Sequence, residues 1–138
     1  MEWETFKKLC SSLRYSAADF EKFHKAYSLA EEELRNRNRL SGEPLIRHNL
    51  RVAEILVENK SSPEVIIAGL LHNIDEEELI KKRFGLEILL LIKGVQDIKH
   101  LQSKNLRLEA DLLRKIILTT LKDIRIILIK LAHKIDNI

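Results

Sequence analysis

Cysteine is almost missing from this 138-residue sequence: Cys10 stands alone, which excludes an intramolecular disulfide and any metal cage built from thiolates. Its spacing from Phe6 and Leu13 is helical, the setting of a small core residue. Proline and glycine are scarce too, at two and four, and Leu, Ile, Lys, Glu and Arg dominate. That usage suits helices and argues against a turn-rich β protein. Long apolar runs are also lacking. Stretches such as Leu89–Ile92 and Ile126–Ile129 fall far short of the roughly 18 residues of a membrane span. The opening Met1-Glu2-Trp3-Glu4 has neither a basic leader nor an apolar signal core, so the expected compartment is the cytoplasm, without membrane contact. Nor is one sign of charge in large excess. Twenty-four basic against 21 acidic residues give a formal +3, less than a dedicated nucleic-acid binder carries, and no nucleic-acid binding is expected. The cluster Arg35, Arg37 and Arg39 reads, on composition alone, as the solvated end of a helix.

What is present is helical patterning. With 45% hydrophobic and 33% charged residues the chain can bury one core, and residues 1–138 read as one domain, with N-terminal helices over 1–38 and a motif-bearing core over 39–138. The spacing predicts a first helix over Glu4–Leu13. Ser16 with Asp19 forms a carboxylate version of the capping box before a helix carrying Phe20, Phe23, Tyr27, Ala30 and Leu34. Ser41-Gly42-Glu43-Pro44 breaks that helix, and Pro44 can open the next, with Leu45, Val52, Ile55 and Leu56 on its apolar side. Ser61-Ser62-Pro63-Glu64 is a strong start signal with a hydroxyl cap. Val65–Leu71 after it is apolar all round, which predicts a central helix, with a strand as the weaker reading. Asp75–Phe84 reads as a surface helix ended by Gly85, and Leu86–Val95 as a further apolar piece. Gln96–Asn105 is the least patterned stretch and is expected to be a mobile loop. Two more helices follow over Leu106–Leu121 and Asp123–Ile138, the second with Ile124, Leu128, Leu131, Ile135 and Ile138 at heptad spacing.

His48, His72 and His133 each fall within or at the end of a helix expected to be buried. One such histidine is usually a hydrogen-bonded packing residue. Three from separate helices could converge as nitrogen ligands for Zn, Mn or Fe, but spacing alone does not bring them together.

An ordered set of motifs carries a resemblance. It comprises Ser41-Gly42-Glu43-Pro44-Leu45-Ile46-Arg47-His48, Val52-Ala53-Glu54-Ile55-Leu56, Ala68-Gly69-Leu70-Leu71-His72-Asn73 with Glu76-Glu77, Arg83-Phe84-Gly85, Gly94-Val95, and Lys122–Ala132 with Asn137. From about Arg39 onward the sequence resembles the His-Asp (HD) hydrolase domain of RelA/SpoT-type alarmone enzymes. The resemblance implies an all-α HD-domain bundle of about seven to eight helices. It implies one Mn²⁺, removal of the 3′-pyrophosphate of guanosine tetra- or pentaphosphate, and further domains in a longer chain. It implies His48 and His72 as metal ligands, with Asn73 and His133 at the two remaining ligand positions. Glu76 and Glu77 would handle the water, Arg39 and Ser41 would lie at the guanine side, and Asn137 would support the nucleotide pocket.

Two ligand positions depart from the family. Asn73 stands for the aspartate of the pair, and His133 for the aspartate of the last helix, so both anionic ligands are gone. The family's last helix has Asp followed three residues later by His; here the order is His133 then Asp136. Asp136 could support His133 from behind as a hydrogen-bond partner, although a solvated position near the helix end is the preferred reading. Glu76 and Glu77 read equally as acids favoured at a helix N-terminus. The expectation that follows is a catalytically weakened or inactive domain with a regulatory role. It would hold Mn²⁺ if the site functions, Zn²⁺ as a second choice, or no metal. An active metal-dependent nucleotide pyrophosphohydrolase built on His48, His72 and His133 is one alternative, and a helical protein-interaction module the other.

Overall fold

Seven α-helices account for most of the described residues, 2–102 and 124–136 of a computed structural model, and no strand occurs among them beyond an isolated bridge between Asn38 and Pro44. They are α1 (Glu2–Ser12), α2 (Ala17–Glu33), α3 (Leu45–Glu58), α4 (Pro63–Leu71), α5 (Glu77–Phe84), α6 (Leu86–Gln102) and α7 (Ile124–Asp136). The helix expected over Leu106–Leu121 lies outside the described residues.

The centre of the bundle is α4. Every residue from Val65 to Leu71 is buried, and α4 packs against α2, α3, α6 and α7 at once. Burying its five large aliphatic side chains contributes about 1.5–3 kcal/mol apiece, which is why a nine-residue helix can hold the centre. Pro63 sits in its first turn as expected, and Ser62 takes the N-cap position without a side-chain bond to the helix. Around this rod, α2 begins at the capping box read from the sequence: Asp19 N–H donates to Ser16 Oγ (3.0 Å) and Ser16 N–H to Asp19 Oδ2 (3.2 Å). Trp3 of α1 stacks on Tyr27 (ring centroids 4.5 Å apart) and Phe20 (5.2 Å), fixing the first helix to the second.

Cys10 is buried in this part of the core, and burial pushes its thiol up to about 11. At pH 8 only about one thiol in a thousand is then ionised. The folded protein is expected to resist thiol-specific labelling at that pH and to react rapidly in urea; equal rates in both would contradict the packing.

Two expectations are corrected. The stretch from Gln96 is helical, not a loop, as far as α6 extends, to Gln102. No glycine or proline follows Val95 before that point, so a helix started on the apolar Leu86–Val95 continues at little cost. Gln96 also anchors it, donating from Nε2 to the carbonyls of His72 (3.1 Å) and Ile74 (3.4 Å). The heptad stripe of α7 does not face the core either. Leu128, Leu131 and Ile135 are exposed, whereas Ile126, Ile129, Ala132 and His133 are buried. The reason is a notch on α6. A Cβ on Gly94 would lie 2.2 Å from Ile126 Cδ1, so the missing side chain is what lets α7 approach along its Ile126 face.

Candidate metal centre

Three helices deliver one histidine each to the same point: α3 brings His48, the end of α4 brings His72, and α7 brings His133. All three are buried, at 3%, 3% and 8% exposure. One ligand nitrogen from each lies within 4.8 Å of the others. The rings stand nearly edge to face, with His48–His133 at 4.8 Å and 90°, His72–His133 at 5.1 Å and 82°, and His48–His72 at 5.4 Å and 71°. Three neutral imidazoles suit a borderline divalent ion such as Zn²⁺. In a tetrahedral site two bonds of about 2.1 Å hold their nitrogens roughly 3.4 Å apart, so closing the ring of ligands draws the nitrogens together by up to about 1.4 Å. The residues present fit a metal.

Surrounding groups decide which nitrogen each ring can offer. His72 Nδ1 lies 2.7 Å from the Gly69 carbonyl, which can only accept, so Nδ1 carries the proton and Nε2 the lone pair. His48 Nδ1 lies 2.6 Å from Asp136 Oδ2 and donates to it, again leaving Nε2 as the ligand atom. Arg51 Nε donates to the other oxygen, Oδ1, at 2.6 Å, and its two terminal nitrogens grip Glu43 at 2.7 and 2.5 Å. Burial drives the His48 pKa below the usual histidine value even though Asp136 pulls it up. For Asp136 burial opposes the charge, but the bonds from Arg51 and His48 outweigh it and hold the pKa below the ordinary carboxylate range. The imidazole is therefore neutral and the carboxylate charged at neutral pH, the states that ligation needs.

The residues singled out from the sequence divide. Arg39, His48, His72, Asn73 and His133 line one cavity of about 270 Å³, together with Arg37 and Leu45. Asn73 faces it while its amide is occupied: Asn49 Nδ2 donates to Asn73 Oδ1 at 2.7 Å, and Asn73 Nδ2 returns the bond to Asn49 Oδ1 at 2.9 Å. Glu76 and Glu77 are exposed at the start of α5 and are not in the cavity lining; Glu77 pairs with Lys93 at 3.2 Å. Ser41 is exposed in the turn before α3, where its Oγ is 3.5 Å from Glu43 N. Asn137 lies outside the described residues. Asp136 is not solvated: its side chain is 6% exposed, and its partner is His48 and not His133. Sequence reasoning missed Arg37, Asn49 and Arg51. Arg51 had a faint signal, since it sits three residues after His48 and so shares its helix face.

Comparison with known proteins agrees with this architecture. A family model described as HD domain matches residues 26–138. The guanosine-3′,5′-bis(diphosphate) 3′-pyrophosphohydrolase of Aquifex aeolicus is 39% identical over 140 residues, covering 98% of this chain and 19% of the relative. The enzyme of the same description from Spiroplasma citri is 35% identical over 127 residues, 88% of this chain and 17% of its own length. The bifunctional (p)ppGpp synthase/hydrolase SpoT of Escherichia coli is 34% identical over 122 residues, 84% of this chain and 17% of its own. The chain thus spans about a fifth or less of these relatives. With seven helices and no sheet among its described residues, histidines brought together from three of those helices, and a family match over residues 26–138, the chain belongs to the HD-domain family.

Proposed function

We propose that this domain binds a divalent metal through His48, His72 and His133 and uses it to hold a pyrophosphorylated guanine nucleotide of the (p)ppGpp type, which it hydrolyses slowly. The observation that carries the reading is the convergence of three buried histidines with their ligand nitrogens within 4.8 Å of one another. An ion bound there would polarise a phosphoryl oxygen and acidify a water molecule. Three neutral imidazoles leave the ion's charge uncompensated, and Arg37 and Arg39 add positive charge at the cavity wall, so a polyanion is drawn in and held. The same charge retards release of an anionic product. No carboxylate belongs to the described lining of the cavity, so a group to take the water's proton is lacking there. Tight binding with slow turnover is the consequence, and it suits a regulatory domain within a longer chain.

The test is metal analysis of the purified protein with Mn²⁺ and Zn²⁺ titration, then (p)ppGpp binding and hydrolysis with and without metal. About one ion per chain, metal-dependent nucleotide binding and slow hydrolysis are expected. No metal uptake at micromolar concentration would overturn the reading, and nucleotide binding indifferent to metal would overturn its substrate half. The variant Asn73→Asp adds a stability prediction. It replaces a donor by an acceptor opposite Asn49 Oδ1, whose own Nδ2 is fixed on the Leu70 carbonyl at 2.8 Å and cannot turn round. The metal-free variant is expected to lose about 1–3 kcal/mol in urea unfolding. Combined with His133→Asp, it is expected to accelerate Mn²⁺-dependent hydrolysis.

A further inference from the structure

Asp136 follows His133 by three residues on α7, and its buried carboxylate turns to α3 and not to solvent. It accepts from His48 Nδ1 at 2.6 Å and is itself clamped by Arg51 Nε at 2.6 Å. Arg51 is in turn fixed by a two-pronged bond to Glu43, and Arg39 approaches Asp136 Oδ2 at 3.5 Å. His48 and Arg51 are one helical turn apart on α3, so α3 presents a ring N–H and a guanidinium side by side and the Asp136 carboxylate bridges them.

We infer that Asp136 is a positioning residue for the metal centre: held by Arg51 and Glu43, it fixes His48 with Nδ1 protonated and Nε2 turned toward His72 and His133. This rests on the metal-binding reading of the histidines. Its physical content is that an imidazole has two tautomers of similar energy in water, and only one of them offers Nε2 as a ligand. A carboxylate on Nδ1 selects that tautomer, fixes the ring plane and raises the basicity of the ligating nitrogen. The charge absent from the inner ring of ligands therefore acts one bond further out. Arg51 and Glu43 keep the carboxylate from rotating into the cavity and ligating directly.

The experiment is long-range ¹H–¹⁵N correlation of the histidine side chains in the metal-free protein, paired with Zn²⁺ titration by calorimetry, for the parent, Asp136→Ala, Asp136→Asn and Arg51→Ala. In the parent, His48 is expected as the Nδ1–H tautomer. Asp136→Ala is expected to mix its tautomers while leaving His72 on the Gly69 carbonyl, and to weaken Zn²⁺ binding about 10- to 100-fold. Asp136→Asn keeps an acceptor oxygen and is expected to retain the tautomer with a smaller loss of affinity. It is also the variant to rely on if the alanine substitution unfolds. Arg51→Ala is expected to fall between them. Parent-like tautomer and affinity in folded Asp136→Ala, or undiminished affinity in Asp136→Asn, would overturn the inference. A parent that takes up no Zn²⁺ would overturn the metal reading instead, while the His48 tautomer would still report whether Asp136 sets it.

Discussion

His72→Ala is expected to abolish metal binding, with a loss of affinity of two to three orders of magnitude. A structural Zn²⁺ site is worth about 10–16 kcal/mol, so three histidines with a water as the fourth ligand would supply roughly 2.5–4 kcal/mol each. His72 is the ligand whose replacement is least compensated. Its ring is buried at the end of the central helix, its Nδ1 is fixed on the Gly69 carbonyl, and no other nitrogen or carboxylate of the described cavity lining lies on α4. The clean measurement is the metal-induced rise in melting temperature. A ligand at a hundredfold its Kd stabilises by about 2.7 kcal/mol. For a chain of this size that is a rise of several degrees. The parent should show the rise and His72→Ala should not, whatever the variant's own stability. A variant with lowered melting temperature but an undiminished rise would mean that His72 is a packing residue and the metal sits elsewhere.

Gly94→Val is expected to destabilise the fold by about 1–3 kcal/mol and to weaken metal binding as well. The added Cβ would stand 2.2, 2.9 and 3.2 Å from Ile126 Cδ1, Cγ1 and Cγ2, so a simple rotamer change of Ile126 does not clear it. Against this, removing a helical glycine gains only up to about 1 kcal/mol of propensity. The effect reaches the site because His133 is seven residues after Ile126, two turns along the same face of α7. Displacing α7 at Ile126 therefore moves a ligand. Urea unfolding and Zn²⁺ titration check both parts, and a double-mutant cycle of Gly94→Ala with Ile126→Ala should show coupling, because the second substitution vacates the space that the first fills. Simple additivity would mean that the two helices do not meet there.

How much of this was legible in the sequence depended on whether local chemistry or tertiary geometry decided it. The Ser16–Asp19 box, the Pro63 start and the all-buried α4 follow from cap chemistry and hydrophobic pattern, both local, and they stand in the structure as read. The face of α7 was not local. Ile124–Ile129 is apolar on several sides, and what selects the buried side is a glycine some thirty residues earlier. The convergence of His48, His72 and His133 was suggested by resemblance, since no spacing between three separate helices encodes where their side chains meet. Asp136 shows the limit most plainly. Counting along α7 favoured a solvated place for it, with His133 as the alternative partner, but its carboxylate crosses to α3, because the packing of two helices decides its partner.

The placement of His133 and Asp136 on a single terminal stretch of α7 makes that helix a clasp. His48 and His72 belong to α3 and α4, which pack on each other, whereas α7 supplies the last imidazole and the carboxylate together. Lifting α7 would remove a ligand and its neighbour's orienting group in one movement, and the ion with them. With an ion held there as proposed, its occupancy would report whether the clasp is shut, and a pull on α7 would be read at the centre as loss of the ion.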